Sequence, residues 1–299
     1  VTGRARVAVG LMLAGLLLVP VAGRAQGPPI HTDTPIMLGL DGRGVRTFLK
    51  VVRMNELLRD GTRISDPLDR TMTALVYPIV VPVNLTPTTQ IGVIAPFVTR
   101  RLESNAGDVS SSGPGDATVF LKQLLVQVDR RAETFRLAVK GGVKLPTGDE
   151  TGPLALGSGS VDYRFNALAG WIKSRWGFYG EAGYALNTNG AGVERGDRFA
   201  YNAAVGYRLL PAHYTHYPQP QLNIYLELNG SVAGRSTAGG AENPDTGGSL
   251  LLLSPGVQYV GGRRWLLEAS VQVPVLDEPN GTQLGTGWAA ILGTRVLVF

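Results

Sequence analysis

Thr134-Phe135-Arg136-Leu137-Ala138-Val139-Lys140-Gly141-Gly142-Val143-Lys144-Leu145 is the stretch that decides how this chain folds. Phe135, Leu137, Val139, Gly141, Val143 and Leu145 fall on one face of an extended strand, and Thr134, Arg136, Ala138, Lys140, Gly142 and Lys144 on the other. Residues 221–232 repeat the pattern, with Leu222, Ile224, Leu226 and Leu228 against Gln221, Asn223, Tyr225, Glu227 and Asn229. So do residues 198–209, where Phe199, Tyr201, Ala203, Val205, Tyr207 and Leu209 oppose Arg198, Asn202 and Arg208. In 264–275, Trp265, Leu267, Val271, Val273 and Val275 oppose Arg264, Glu268 and Gln272. A soluble sandwich uses strands of roughly 5–6 residues. These are about twice that, matching the ~9–11 residues of a tilted strand that crosses a bilayer.

Outward from that stretch, we read strands near 45–53, 71–83, 89–101, 115–128, 134–145, 161–174, 176–187, 197–209, 221–233, 248–260, 263–275 and 286–299. The fold class is all-β, a single transmembrane antiparallel β-barrel of about 12 strands, an even number as such barrels require. Lys50 and Lys122 disturb 45–53 and 115–128 by falling in phase with apolar neighbours. Pro78, Pro82 and Pro96 each remove a ladder donor. Short connections (84–88, 129–133, 175, 261–262, and the longer 210–220) alternate with long polar ones (54–70, 102–114, 146–160, 188–196, 234–247, 276–285). Short periplasmic turns and long external loops are the expected asymmetry. Trp171, Trp176, Phe178, Tyr207, Tyr259, Trp265 and Phe299 gather at the short-turn ends. Phe97, Tyr163, Phe165, Tyr184, Phe199 and Trp288 gather at the other, so two interfacial belts are expected. The aromatic Phe299 also suits recognition by the barrel-assembly machinery.

Residues 1–25 read as a cleaved signal peptide, with Arg4 and Arg6 ahead of the apolar run Val7–Val21 and small residues at Gly23 and Ala25. The competing reading, a membrane anchor, needs ~20 apolar residues, and Gly10, Gly15 and Pro20 interrupt this run. Residues 26–44 form a periplasmic or plug segment, and 45–299 the barrel. The chain carries +5, of which Arg4, Arg6 and Arg24 supply three, leaving +2 after cleavage. That excess gives no footprint for nucleic acid. The chain has no cysteine, which removes disulfides and thiolate chemistry.

From Gly113-Pro114-Gly115-Asp116, through Lys144-Leu145-Pro146-Thr147-Gly148, to Gly157-Ser158-Gly159-Ser160-Val161-Asp162, the chain resembles the outer-membrane family of the MetA-pathway of phenol degradation. The resemblance implies a barrel that passes small hydrophobic or aromatic compounds. Read physically, Pro146 stops pairing and Gly148 permits positive φ. Thr147, Gly157 and Gly159 continue the turn, and Ser158, Ser160 and Asp162 can satisfy loop backbone. A ligand-contacting loop folded into the mouth is the alternative reading.

Arg136, Lys140, Lys144, Arg164, Arg198, Arg208 and Arg264 are expected to line the lumen against Glu181, Glu227 and Glu268. They either pair across it or leave a basic excess that favours anions. His31, His213 and His216 are the three histidines. No serine face accompanies the last two, and no carboxylate completes a metal site with them, so neither catalysis nor a cofactor is expected. Asp149, Glu150, Glu242 and Asp245 read as solvated loop charge, with divalent cations as the alternative. Asn84-Leu85-Thr86 is a sequon without consequence in a bacterial-looking chain. The expectation is a bacterial outer-membrane channel for passive passage of small molecules. Its expected partners are membrane lipid, lipopolysaccharide, the assembly machinery and the solute. The alternative is a non-transporting barrel that acts through its loops.

Overall fold

The computed structural model describes residues 27–38, 42–190, 192–216, 218–262 and 264–298. The signal-peptide reading and Phe299 lie outside them. Twelve antiparallel strands form the ring: β1 (Arg43–Arg59), β2 (Thr71–Asn84), β3 (Thr89–Glu103), β4 (Thr118–Arg130), β5 (Glu133–Lys144), β6 (Asp162–Lys173), β7 (Trp176–Leu186), β8 (Arg198–Leu210), β9 (Gln221–Ala233), β10 (Gly248–Val260), β11 (Trp265–Pro279) and β12 (Thr282–Val298). Each strand pairs with its sequence neighbour, and β12 closes on β1 from Arg43↔Val298 to Arg59↔Thr282. A closed ladder satisfies every strand's backbone without water, which lipid demands.

The period-two pattern becomes inside and outside. Leu226, Val275 and Leu292 are more than half exposed on the outer face, while Glu227, Gln258, Glu268 and Gln272 are almost fully buried in the interior. Apolar outside and polar inside inverts a soluble protein and suits a lipid-facing wall. The belts form as expected: at the short-turn end Trp176 stacks on Phe178 and lies tilted against Tyr207 (4.6 Å between centroids), and Tyr259 lies tilted against Trp265. Phe199 lies against Tyr201 at the other.

Several of the expected boundaries change. β1 continues to Arg59, beyond the expected end at 53, and turns at Asp60-Gly61 (φ 48° and 77°) into Thr62–Arg63. The fourth strand is broken: Val109–Pro114 and Thr118–Arg130 both pair with β3, and Gly115–Ala117 steps out between them. The expected long loop 276–285 does not exist. β11 runs on to Pro279, β12 starts at Thr282, and only Asn280-Gly281 joins them. Five long connections therefore stand where six were expected. Two of these interlock, because Val193–Glu194 pairs with Thr237–Ala238. Pro78 and Pro96 face one another across β2 and β3, so both missing donors fall on one rung.

Candidate functional site

The interior is occupied by the segment before β1. Residues 27–38 take no regular structure, and Pro28, Pro29 and Pro35 keep them extended. They form a strap across the lumen, and the wall supplies partners for its backbone between Gly27 and Thr34. The Glu227 carboxylate accepts the amide N–H of Ile30 (2.8 Å), His31 (3.1 Å) and Thr32 (2.7 Å), and the Thr32 hydroxyl (2.7 Å). The Glu181 carboxylate accepts the Asp33 N–H (2.9 Å). In the other direction, Tyr225 donates its hydroxyl to the Gly27 carbonyl, Gln258 its amide to Pro28, Arg295 to Pro29, Arg46 to Ile30 and Lys122 to Thr34. Burying these groups without partners would cost several kcal/mol in sum. The wall is built to receive a backbone.

Two charge clusters complete the seat. Glu268, whose side chain is fully buried, is held by Arg46 and by Arg295, each at 2.9 Å. Those arginines face one another in register across the β1–β12 closure. Like charges directly opposite repel, and the shared carboxylate makes the arrangement stable. Asp33 of the strap sits between Lys122 and Lys140, each at 2.8 Å. Apolar contacts fill the rest. Ile30 joins Ile172, Tyr179, Ala204, Tyr225 and Ile291, and Met37 joins Leu124, Ala138 and Leu168. Gly256 leaves the space for Ile30: a Cβ there would lie 2.5 Å from Ile30 Cδ1.

The strap explains the two strands whose patterns were disturbed. Phe120, Lys122 and Leu124 all face inward, because a proline-rich peptide rather than water lies against them. Phe48 on β1 likewise packs on the Ile30 cluster.

The residues read as lumen-lining separate into groups. Lys140, Glu181 and Glu227 bond the strap directly, and Glu268 holds the two arginines that also do so. Glu227 meets backbone N–H groups there instead of a cation, and Glu181 also binds Asn166 and Asn202. Arg136 lies by Asp129 (3.7 Å), and Arg208 donates to the Pro211 carbonyl and covers the Tyr214 ring, both at the short-turn end. Arg264 borders a cavity there. Arg164 and Arg198 stand at the opposite mouth. Lys140 therefore pairs through the strap's Asp33, whereas Glu268 pairs with Arg46 and Arg295 on the wall and Lys144 with Asp116 and Asp162 at the mouth. Asp33, Arg46, Lys122, Gln258 and Arg295 escaped the sequence reading. Of these, Lys122 alone carried a signal, a charge in phase with apolar neighbours.

Lys144 belongs to a knot that folds the 146–160 loop into the mouth. Its ammonium meets Asp116 (2.9 Å), Asp162 (2.6 Å) and the Ser158 hydroxyl. Asp116 also accepts the Gly148 and Ser158 amides, Ser160 donates to Asp162, and the Thr147 hydroxyl donates to Gly115. Pro146 lets the chain leave β5, while Gly157 packs directly on Gly148 and Gly159 takes φ 67°. Asp116 comes from the step at 115–117, so the broken strand supplies one of the knot's carboxylates.

His31 is half-buried in the strap, whereas His213 and His216 are exposed in the turn after β8, with Thr215 Oγ1 3.1 Å from His216 Nδ1. Two cavities open in the lumen: about 780 Å³ at the long-loop end, and about 400 Å³ at the short-turn end, where the strap forms part of the lining. The lower one includes Phe48, Val80, Ile94 and Phe120 and is largely apolar.

Comparison with solved structures places this architecture among outer-membrane barrels. An outer membrane channel from Pseudomonas putida F1 is similar over 92% of this chain and 100% of its own, at 15% identity and a TM-score of 0.68. The beta domain of the Bordetella autotransporter BrkA (85% and 98%, 11% identity, TM-score 0.48) and a Pseudomonas aeruginosa FadL homologue (87% and 90%, 9% identity, 0.43) are more distant. No curated protein matches. The profile described as "Putative MetA-pathway of phenol degradation" matches residues 70–291. A closed twelve-stranded wall with its apolar face outward resides in the bacterial outer membrane, and this chain belongs to that phenol-degradation family.

Proposed function

We propose that the barrel is a passive channel for small molecules, aromatic or hydrophobic ones among them, and that residues 27–38 gate it. One observation carries this reading: residues 27–38 lie across the lumen and line the cavity at its short-turn end, and side-chain contacts hold them there with no β-ladder. Its release breaks no barrel strand, so gating and wall stability are separable. Catalysis has no part in the reading. Lipopolysaccharide and the barrel-assembly machinery are the partners it implies.

A second reading, a sealed barrel acting through its loops, draws on the filled lumen and on the interlocked loops at 193–194 and 237–238. Conductance in planar bilayers and solute uptake into liposomes separate the two. The channel reading expects uptake that rises when the strap is weakened. A barrel impermeable to every solute, with and without residues 27–38, refutes it.

A further inference from the structure

We infer that the upper cavity is a binding site for small organic monocarboxylates that carry an apolar body. The inference rests on the channel reading for its physiological meaning but not for its test.

Arg164 on β6 and Arg198 on β8 both pair with Ala185 on the strand between them. They share one lumen-facing row, about 10 Å apart at two strand spacings, and the small Ala185 side chain leaves the gap between them open. Arg195 joins them from the adjacent loop, donating to the Gly157 carbonyl (3.1 Å). Arg198 feels the positive charge of both others. Among the described residues no carboxylate lies within ion-pair distance of any of the three. Three like charges gathered without a counter-ion are a standing repulsion, which an anion relieves.

The rest of the cavity narrows the choice of anion. Asp116 and Asp162 are engaged by Lys144 and loop amides, and Asp277 on the far wall accepts the Thr286 amide (2.7 Å). Counting Lys144 and the three arginines against these three aspartates leaves one net positive charge lining the cavity. One monoanion neutralises that, whereas a dianion overshoots. The guanidinium fork matches a planar carboxylate in a bidentate pair. Opposite the arginines stand Met54 on β1, Leu250 on β10 and Leu284 on β12, so the site offers charge on one side and an apolar surface on the other. At about 780 Å³ it has the size of a small-ligand pocket. Arginines that served lipopolysaccharide phosphates would point to the outer rim. These point into the lumen.

The test measures equilibrium binding of benzoate, benzamide, acetate and inorganic phosphate to the detergent-solubilised full chain, for the wild type and R164Q/R198Q. Benzoate is expected to bind better than its neutral or smaller analogues. Its affinity should fall roughly tenfold or more in the double variant, as loss of charge-assisted bonds dictates, while benzamide binding stays unchanged. R164K/R198K, which keeps the charge but not the fork, should fall between. Benzoate binding that is absent, equal to benzamide binding or unchanged by R164Q/R198Q overturns the proposal. Phosphate binding more tightly than benzoate overturns the assignment of a monocarboxylate. Binding needs no conduction, so a barrel that binds benzoate but passes nothing sinks the channel reading alone.

Discussion

Glu227→Gln isolates the gate. Glu227 is 1% exposed, and all its bonds go to the strap: three amides and one hydroxyl. Glutamine keeps the shape and one acceptor oxygen, but its NH2 confronts the N–H groups that the second carboxylate oxygen accepted. The loss is about two charge-assisted hydrogen bonds, each worth roughly 1.5–3 kcal/mol. The seated strap then no longer buries a charge, which offsets part of this, so we take the lower end, about 3 kcal/mol. At 1.4 kcal/mol per decade, the unseated fraction rises about a hundredfold. Because the chain has no cysteine, Thr34→Cys is a unique probe of the strap. Its thiol-labelling rate and the single-channel open probability should both climb by about that factor in E227Q. The wall should hold, with heat-modifiable migration unchanged. Equal labelling and equal open probability in the two proteins would refute the claim that this carboxylate seats the strap.

Other outcomes follow from neighbouring features. Asp33→Asn leaves Lys122 buried without its counter-charge. Breaking such pairs costs about 3–5 kcal/mol, and with Asp33 one-quarter exposed the lower figure applies. It should also raise Thr34→Cys labelling, and should do so less than additively with E227Q. Lys144→Met leaves Asp116 and Asp162 facing one another, so limited proteolysis should cut the 146–160 loop at least tenfold faster without opening the barrel. Leu226→Arg puts a cation on the lipid face at mid-strand and should lower the urea-measured folding free energy by about 2–4 kcal/mol. At Asn202, on the lumen face, the same charge should be tolerated.

Much of the wall was legible because lipid imposes one rule on every strand. The inward and outward faces of 134–145 and 221–232 could be assigned residue by residue, with no knowledge of their neighbours. The failures have physical causes. Asp277, Glu278, Pro279 and Gly281 have a loop's composition, yet above the membrane a hairpin needs no apolar face, and Asn280-Gly281 is itself a tight-turn pair. Phe120 and Leu124 looked out of phase because alternation assumes a wet lumen, and here a peptide lies inside. The seat was harder still. It depends on Arg46, Glu268 and Arg295, far apart in sequence, meeting the carbonyls of Pro29 and Ile30. No local pattern encodes such a meeting. Only the disturbance at Lys122 announced that something other than water would face that strand.

The paired arginines at the closure also set an order of assembly. Arg46 belongs to the first strand and Arg295 to the last, and the strap's bond from Pro29 to Arg295 spans 266 residues. Arg295, and with it one of the two cations that hold Glu268, is therefore missing from the seat until the final strand has docked beside the first. A barrel still open at that edge holds the strap with fewer bonds, and Glu268 there lacks one of its two arginines. The full seat is thus conditional on a finished wall. The membrane is protected by the same contacts that certify the ring as complete.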